Sequence, residues 1–426
     1  MLLHMLGAGN GQIKTIKRIK ELGYEVLVSD FYPEAPGKKY ADYTTNISTF
    51  DRSGILDISK QYNIDGIVTA GTDQPVLTAA KTAAELGLPS FVSVETALAV
   101  TNKRVMKPMM ISGGIPTNPF ILINADITAK DFEKAGICFP IVIKPVDSQG
   151  QRGVLKIDSM EELQSCIPYS LEFSQETELL AEPYYPSDEV TITSWIHDGE
   201  MILISITDRI TSENLPYIGV CYAHRYPSVH QDKHLQEIRE ISARIIATFG
   251  IMNGPVYTQM LIGADGVRVN EIACRIGGAY EDEAIPLLTG INLTDLLIEG
   301  TTGRVLSDFS EINGSLPVQV NAEKQGFCAV LLFFTKPGEI AHVGSFSTLM
   351  DLPGVSGGAY QISPGDVITI QKNAVQRAGY VIISAKTAIA LQDCVTTVYN
   401  HIDITDSKGK QMVIPLPENK FLYPPN

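Results

Sequence analysis

Residues 256–278 read VYTQMLIGADGVRVNEIACRIGG. Two alternating apolar runs flank Gly263-Ala264-Asp265-Gly266, and an Asp-Gly between such runs is a strong hairpin signal. The predicted hairpin sets an amide, Gln259, across from a carboxylate, Glu271, with Arg275 and the pair Gly277-Gly278 just beyond. Two strands presenting oxygen ligands on one face suit Mg2+, which takes one or two protein ligands beside phosphate oxygens. An arginine next to that metal suits a phosphoryl group gaining negative charge. Alone, the segment also fits a surface hairpin with a hydrated Glu and an ordinary Arg partner, so upstream residues must decide.

Upstream, residues 141–145 (IVIKP) and 154–158 (VLKID) flank a polar loop containing Ser148, Gln149, Gly150, Arg152 and Gly153. Lys144 is centred in an apolar strand and must face solvent or a charge, because a buried unpaired ammonium is costly. The two glycines let backbone N–H groups approach a polyphosphate, and Arg152 adds a planar donor fork. Lys103, at the start of a helix, is a second phosphate candidate. Glu182 ends a strand, where it can accept from an adenine amino group. Glu189, seven residues on, can accept from ribose hydroxyls. Tyr184 lies between the two glutamates and belongs to the same candidate set.

Taken in order, TNKRVM, IVIKPVDSQGQRGV, LLAEPYYPSDEVTI and YTQMLIGADGVRVNEIACRIGG resemble the ATP-grasp superfamily, over most of the chain. The resemblance implies ATP bound between two antiparallel sheets, with Mg2+, or Mn2+ in its place. Lys103 and Lys144 would be nucleotide lysines and the loop around Ser148, Gln149, Gly150 and Gly153 the phosphate cover. Glu182 would serve the adenine hinge, Glu189 the ribose, Gln259 and Glu271 the metal, and Arg275 the acyl phosphate or γ-phosphate. There are two departures. Many members carry Glu where this chain has Gln259, although the carbamoyl-phosphate synthase branch uses Gln; the amide lowers the site's negative charge. Many also carry Asn where Ala273 stands, which leaves a second metal one ligand short.

The first hundred residues alternate strand and helix. Repeated βα units joined by Gly or Asp turns predict a doubly wound, mostly parallel sheet. Residues 7–12, GAGNGQ, resemble a dinucleotide fingerprint, but Gln12 occupies the third glycine position and a broken motif is weak. A close turn bordering a pocket at the strand ends is the better reading, and Asp73 at the end of another strand could join that pocket or cap the following helix. Residues 101–114 predict a helix broken by Pro108. Beyond residue 320 the pattern changes to short strands, as in a small separate β-rich domain. The expectation is therefore an α/β (α+β) chain with three parts: 1–100, an N-terminal α/β domain; 101–320, an ATP-grasp core with a mobile lobe near 116–182; and 321–426, a C-terminal β-rich domain.

The 426 residues carry a formal charge of −15, which argues against broad nucleic-acid or anionic-membrane binding. No apolar run reaches the length of a membrane span. Six scattered cysteines without metal spacing, and an apolar start that lacks a signal-peptide pattern, predict reduced thiols and a cytoplasmic protein. His224, His230 and His234 lack an HExxH pattern, so zinc is not expected.

The implied chemistry is carboxylate activation: ATP phosphorylates a carboxylate, an amine attacks the acyl phosphate, and ADP and phosphate leave. Such transfer rests on positioning and charge neutralisation. Residues 271–293 look most like bacterial L-amino-acid ligases. Small-molecule carboxylate and amine substrates are therefore expected, with a homodimer as a family expectation. Arg209 or Arg225 could hold a substrate carboxylate or form a structural ion pair, and Arg275 to Gly277 could position the acyl phosphate. Two alternatives stay open: a bicarbonate-dependent carboxylase or purine-pathway ligase, and a nucleotide-binding protein without catalysis.

Overall fold

The computed structural model describes residues 1–214, 216–303, 326–416 and 421. The N-terminal part is a four-stranded parallel sheet of β1 (Leu2–Leu6), β2 (Glu25–Ser29), β3 (Tyr43–Thr45) and β4 (Gly66–Val68), ordered β3-β2-β1-β4. β1, β4 and all but the first residue of β2 are buried, as in a sheet covered on both faces, whereas the edge strand β3 is largely exposed. In the turn after β1, Gln12 Nε2 donates to the Ala70 carbonyl at 2.8 Å and Asp30 Oδ2 accepts from Ala8 N at 2.8 Å. Both side chains are thus spent on tying the strand ends together.

A second, antiparallel assembly runs from β5 (Ile121–Ile123) through β6 (Ile141–Pro145), β7 (Leu155–Ile157), β8 (Leu179–Pro183), β9 (Ser187–His197), β10 (Glu200–Asn214), β11 (Tyr217–Tyr226) and β12 (Gly254–Gly263) to β13 (Gly266–Ala273). Its strand order is β13-β12-β9-β10-β11-β7-β6-β8-β5. β5 to β8 enclose their own apolar cluster with the helices Ala129–Ala135 and Met160–Leu171. They meet the rest of the sheet at one register pair, Tyr217↔Leu155. The helix Gln231–Phe249 lays Ile238, Ile241, Ile245 and Phe249 under β9, β10 and β12, an i, i+3, i+4 stripe that closes the second core.

The sequence expectation differs from the structure in two places. Pro108 does not break its helix. Two helices, Val94–Thr101 and Lys103–Ser112, meet at Asn102, whose side chain caps the second by accepting from Arg104 N at 2.9 Å. Pro108 sits inside that second helix, where its ring removes one backbone bond without ending the run. The C-terminal strands are also not detached. β14 (Phe327–Phe333) pairs with β11 from Ala223↔Leu331 to Tyr226↔Cys328 and continues into the strand Gly379–Ala385. The buried face of β14 thereby joins the largest apolar cluster, which reaches back to Leu3 and Val28 of the first sheet. The expected boundary near residue 320 lies outside the described residues.

Candidate active site

The hairpin forms as the Asp-Gly signal predicts, with Gly263↔Gly266 closing the turn and Gly266 at φ +98. Gln259 and Glu271 are direct cross-strand partners. The ladder then slips: Met260 pairs with Val269, so Asn270 is an extra residue on β13. A bulge re-aims side chains that strict alternation would send to opposite faces, and here both Asn270 and Glu271 face one cavity. Sequence reasoning missed Asn270 because it applied the period of two.

Lys103 Nζ donates to Glu271 Oε1 at 3.0 Å and to the Ser148 carbonyl at 3.1 Å. Burial pushes the Glu271 carboxyl up, but Lys103, then Arg275 and Lys144, outweigh it and hold the group below its ordinary range. Lys144 Nζ donates to Asn270 Oδ1 at 2.9 Å and pairs with Glu182. Glu182 also pairs with Lys107 at 3.0 Å. Burial opposes its charge, yet Lys107 and Lys144 bring the carboxyl down to about 2. Burial in turn pulls Lys107 down to about 8, against the attraction of Glu182. Lys107 was not foreseen, although it lies one helical turn from Lys103 (i, i+4), the spacing that puts both ammoniums on one helix face.

The loop between β6 and β7 covers this cavity. Gly150 and Gly153 adopt φ +68 and +72, conformations that L side chains rarely take. Gln149 Oε1 accepts from Asp73 N, Gln74 Nε2 donates to the Asp147 carbonyl at 2.8 Å, and Ala374 N donates to the Gly150 carbonyl at 3.1 Å. The loop is thus held between the first sheet and the C-terminal segment. The Ser148 hydroxyl is buried and has no hydrogen-bond partner among the described residues. Tyr184 lines the same cavity under the Lys156 ammonium, which lies 4.6 Å from its ring.

Glu189 accepts from Gln259 Nε2 at 2.7 Å and from Arg209 Nη1 at 2.8 Å. Arg209 keeps its charge against burial through Glu189, so the ion-pair alternative holds for it, although it still borders a second cavity. Arg225 is a correction. Its guanidinium is buried against Asp208 at 2.7 Å, donates to the Phe421 carbonyl at 2.6 Å and lines neither of the two cavities at the hairpin. Gly277 is a correction too. It does not border the cavities at the hairpin but lies against Glu281, whose carboxylate a Cβ there would strike, while Gly278 does line the second cavity. Asp73 enters the site through Arg275, whose Nε donates to Asp73 Oδ1 at 2.6 Å. His230 and His234 face Asp188 and Glu237 at 3.0 and 2.9 Å. Among the described residues, no three metal-ligating side chains come together.

The two cavities are contiguous. Gln149, Gly150, Arg152, Gln259 and Glu271 border both. The first holds the lysines and Glu189; the second, of about 320 Å³, holds Arg275, His224, Glu281 and Arg377. Glu271 and Gln259 thus stand at a junction between one polar chamber and another. Their two oxygens fit a metal ion that completes its shell with phosphate oxygens and water.

Residues 137–282 match the ATP-grasp domain family and residues 330–406 match L-amino acid ligase C-terminal domain 2. The chain is 30% identical over 279 residues to an L-arginine-specific L-amino acid ligase of Bacillus subtilis, a match covering 60% of this chain and 65% of that protein. It is 25% identical over 281 residues to a formate-dependent phosphoribosylglycinamide formyltransferase of Haemophilus ducreyi, covering 64% and 68%. The crystal structure of an L-amino acid ligase from Bacillus licheniformis shares the fold with a TM-score of 0.79 at 18% identity, over 95% of this chain and 98% of the other. Over residues 137–282 the chain carries a domain of the ATP-grasp superfamily, and its homologues include an L-amino acid ligase and a formate-dependent formyltransferase. Enzymes of that superfamily use ATP with Mg2+. Among the described residues, no helix is long and apolar enough to cross a membrane.

Proposed function

We propose that the chain joins a small amino-acid-like carboxylate to an amine, with ATP converted to ADP and phosphate. The observation that carries this reading is the junction at Glu271 and Gln259, where one chamber is lined for a nucleotide and the next for an anion. In the first, Lys103 and Lys144 face the phosphates, Glu189 the ribose, and Glu182 with Tyr184 the base. In the second, Arg275 faces the carboxylate being activated. A carboxylate oxygen attacks the γ-phosphorus, the bond to ADP breaks, and Arg275 and the lysines take up the developing charge. The amine nitrogen then attacks the acyl carbon, the C–O bond to phosphate breaks, and the amine gives up a proton. Mg2+ held by Glu271 and Gln259 would neutralise charge on the phosphates.

The similarity to the formyltransferase sustains a second reading, in which the second chamber serves a bicarbonate- or formate-dependent reaction on a phosphorylated acceptor. ADP release with Mg-ATP, measured over a matrix of amino acids and phosphorylated amines with and without bicarbonate or formate, separates the two. Release that requires two amino acids and disappears in Glu271→Ala supports ligation. Release that requires bicarbonate or formate supports the second reading, and ATP binding without turnover overturns both.

A further inference from the structure

Glu281 stands apart from the charges already described. It is 1% exposed and opens the helix Glu281–Thr289, after Tyr280 in a left-handed conformation at φ 63. One oxygen, Oε2, accepts from Ala279 N at 2.6 Å. The other, Oε1, is buried with no hydrogen-bond partner among the described residues, on a side chain that lines the second cavity. The nearest basic group is His224 Nδ1 at 3.9 Å, and that atom is also buried without a hydrogen-bond partner. Burial, with Arg209 and Arg377 behind it, keeps His224 uncharged far below its ordinary range, so it does not neutralise the carboxylate. Arg275 feels Glu281, but its Nε is committed to Asp73. A buried carboxylate oxygen without a cation is costly unless a ligand supplies the charge.

We propose that Glu281 Oε1, with His224 Nδ1 beside it, seats the α-ammonium of the amino acid whose carboxylate is activated at Arg275. This rests on the ligase reading and deepens it. The two acceptors can take two of the three N–H donors of an ammonium, and an α-amine lies one carbon from the carboxylate that Arg275 faces. A neighbouring carboxylate favours the protonated form of an amine, which is the opposite of what an attacking nitrogen needs. The seat therefore holds the amine that does not react and fixes which partner of the peptide bond each amino acid becomes. Glu281 is a positioning residue in this account.

Hydroxylamine isolates the first half-reaction, because it traps an acyl phosphate as a hydroxamate whatever the natural amine is. The full-length chain with Mg-ATP and hydroxylamine is assayed on L-amino acids, each beside its des-amino acid, such as L-alanine beside propionate and L-phenylalanine beside 3-phenylpropionate. The expected result is a preference for the amino acid in kcat/KM of roughly thirty-fold or more, the scale of a buried charge pair. Glu281→Gln, which retains an acceptor for Ala279 N, is expected to erase most of it, with the KM for ATP unchanged. Equal use of both acids by the unmutated chain overturns the proposal without any variant, while leaving ligation intact. A preference that survives Glu281→Gln also overturns it. Absence of hydroxamate from every acid overturns the ligase reading itself.

Discussion

Arg275 Nε donates to Asp73 Oδ1 across 2.6 Å, and the two side chains are buried together. One comes from just past β13 and the other from the segment after β4, so this ion pair, beside the bond from Gly71 N to the Ile276 carbonyl at 3.3 Å, ties the parallel sheet to the hairpin. Burial opposes the Arg275 charge, and Asp73 more than restores it. Asp73→Asn should leave ATP binding intact and let the guanidinium drift. Misplacement by an ångström costs about a hundred-fold in rate. A fall of roughly ten- to a hundred-fold in kcat for ADP release, with the KM for ATP within about threefold, is the expected result. Unchanged kcat would show that Asp73 does not position Arg275.

Lys107→Met leaves Glu182 buried with one cation in place of two. Breaking a buried pair from one side costs about 3–5 kcal/mol, measurable as a lower urea midpoint. The pH dependence follows from the directions of the shifts. Glu182 is lowered from 4.5 to about 2, so its ionised pair adds stability fully above pH 4.5, and that stability is lost as pH falls toward 2. Lys107, lowered from 10.5 to about 8, acts the other way: its buried charge detracts below pH 8, and this cost fades as pH rises from 8 to 10.5. The melting temperature of the unmutated chain should therefore drop between pH 4.5 and 2. Lys107→Met should show a shallower drop; an equal one would mean that the pair contributes little.

Gln259→Glu replaces a donor to Glu189 Oε2 with a like charge, beside Glu271 as well. Without Mg2+ the variant should melt below the unmutated chain. Mg-ATP should then raise its melting temperature by more than it raises the parent's, since the metal relieves the added repulsion. An identical Mg-ATP shift in both proteins would place the metal away from this pair.

Gly153→Ala and Gly150→Ala form a matched comparison. Both residues have positive φ, which costs a non-glycine residue about 1–2 kcal/mol. At Gly153 a Cβ would also lie 2.9 Å from Pro145 Cγ and 3.0 Å from the Ser170 carbonyl, whereas at Gly150 its nearest neighbour is Val375 Cγ2 at 3.6 Å. Denaturant unfolding should show Gly153→Ala losing clearly more stability than Gly150→Ala. Equal losses would contradict this packing.

Those contrasts show what sequence carries and what it hides. The facing of Gln259 and Glu271 was legible because a turn signal fixes register and register fixes opposition. Lys144 was legible because apolar surroundings leave a lysine few partners, and Lys103 because it opens a helix within a stretch that carries the resemblance. Asn270 was hidden by a bulge, which breaks the period that sequence reading depends on. Arg225 stayed open between a substrate carboxylate and an ion pair because its partner, Asp208, is identified only once the two strands come into register. Glu281 and Arg377 were missed because they reach the second cavity from a helix start and a C-terminal loop, contacts of long separation that carry no local pattern.

The most direct test of the central claim follows an oxygen atom. The chain is supplied with Mg-ATP, an accepted amino acid labelled with 18O in its carboxylate, and a second amino acid as amine. Ligation through an acyl phosphate predicts ADP together with inorganic phosphate that carries one 18O for each amide bond formed. Unlabelled phosphate, or label appearing in AMP beside pyrophosphate, would contradict it.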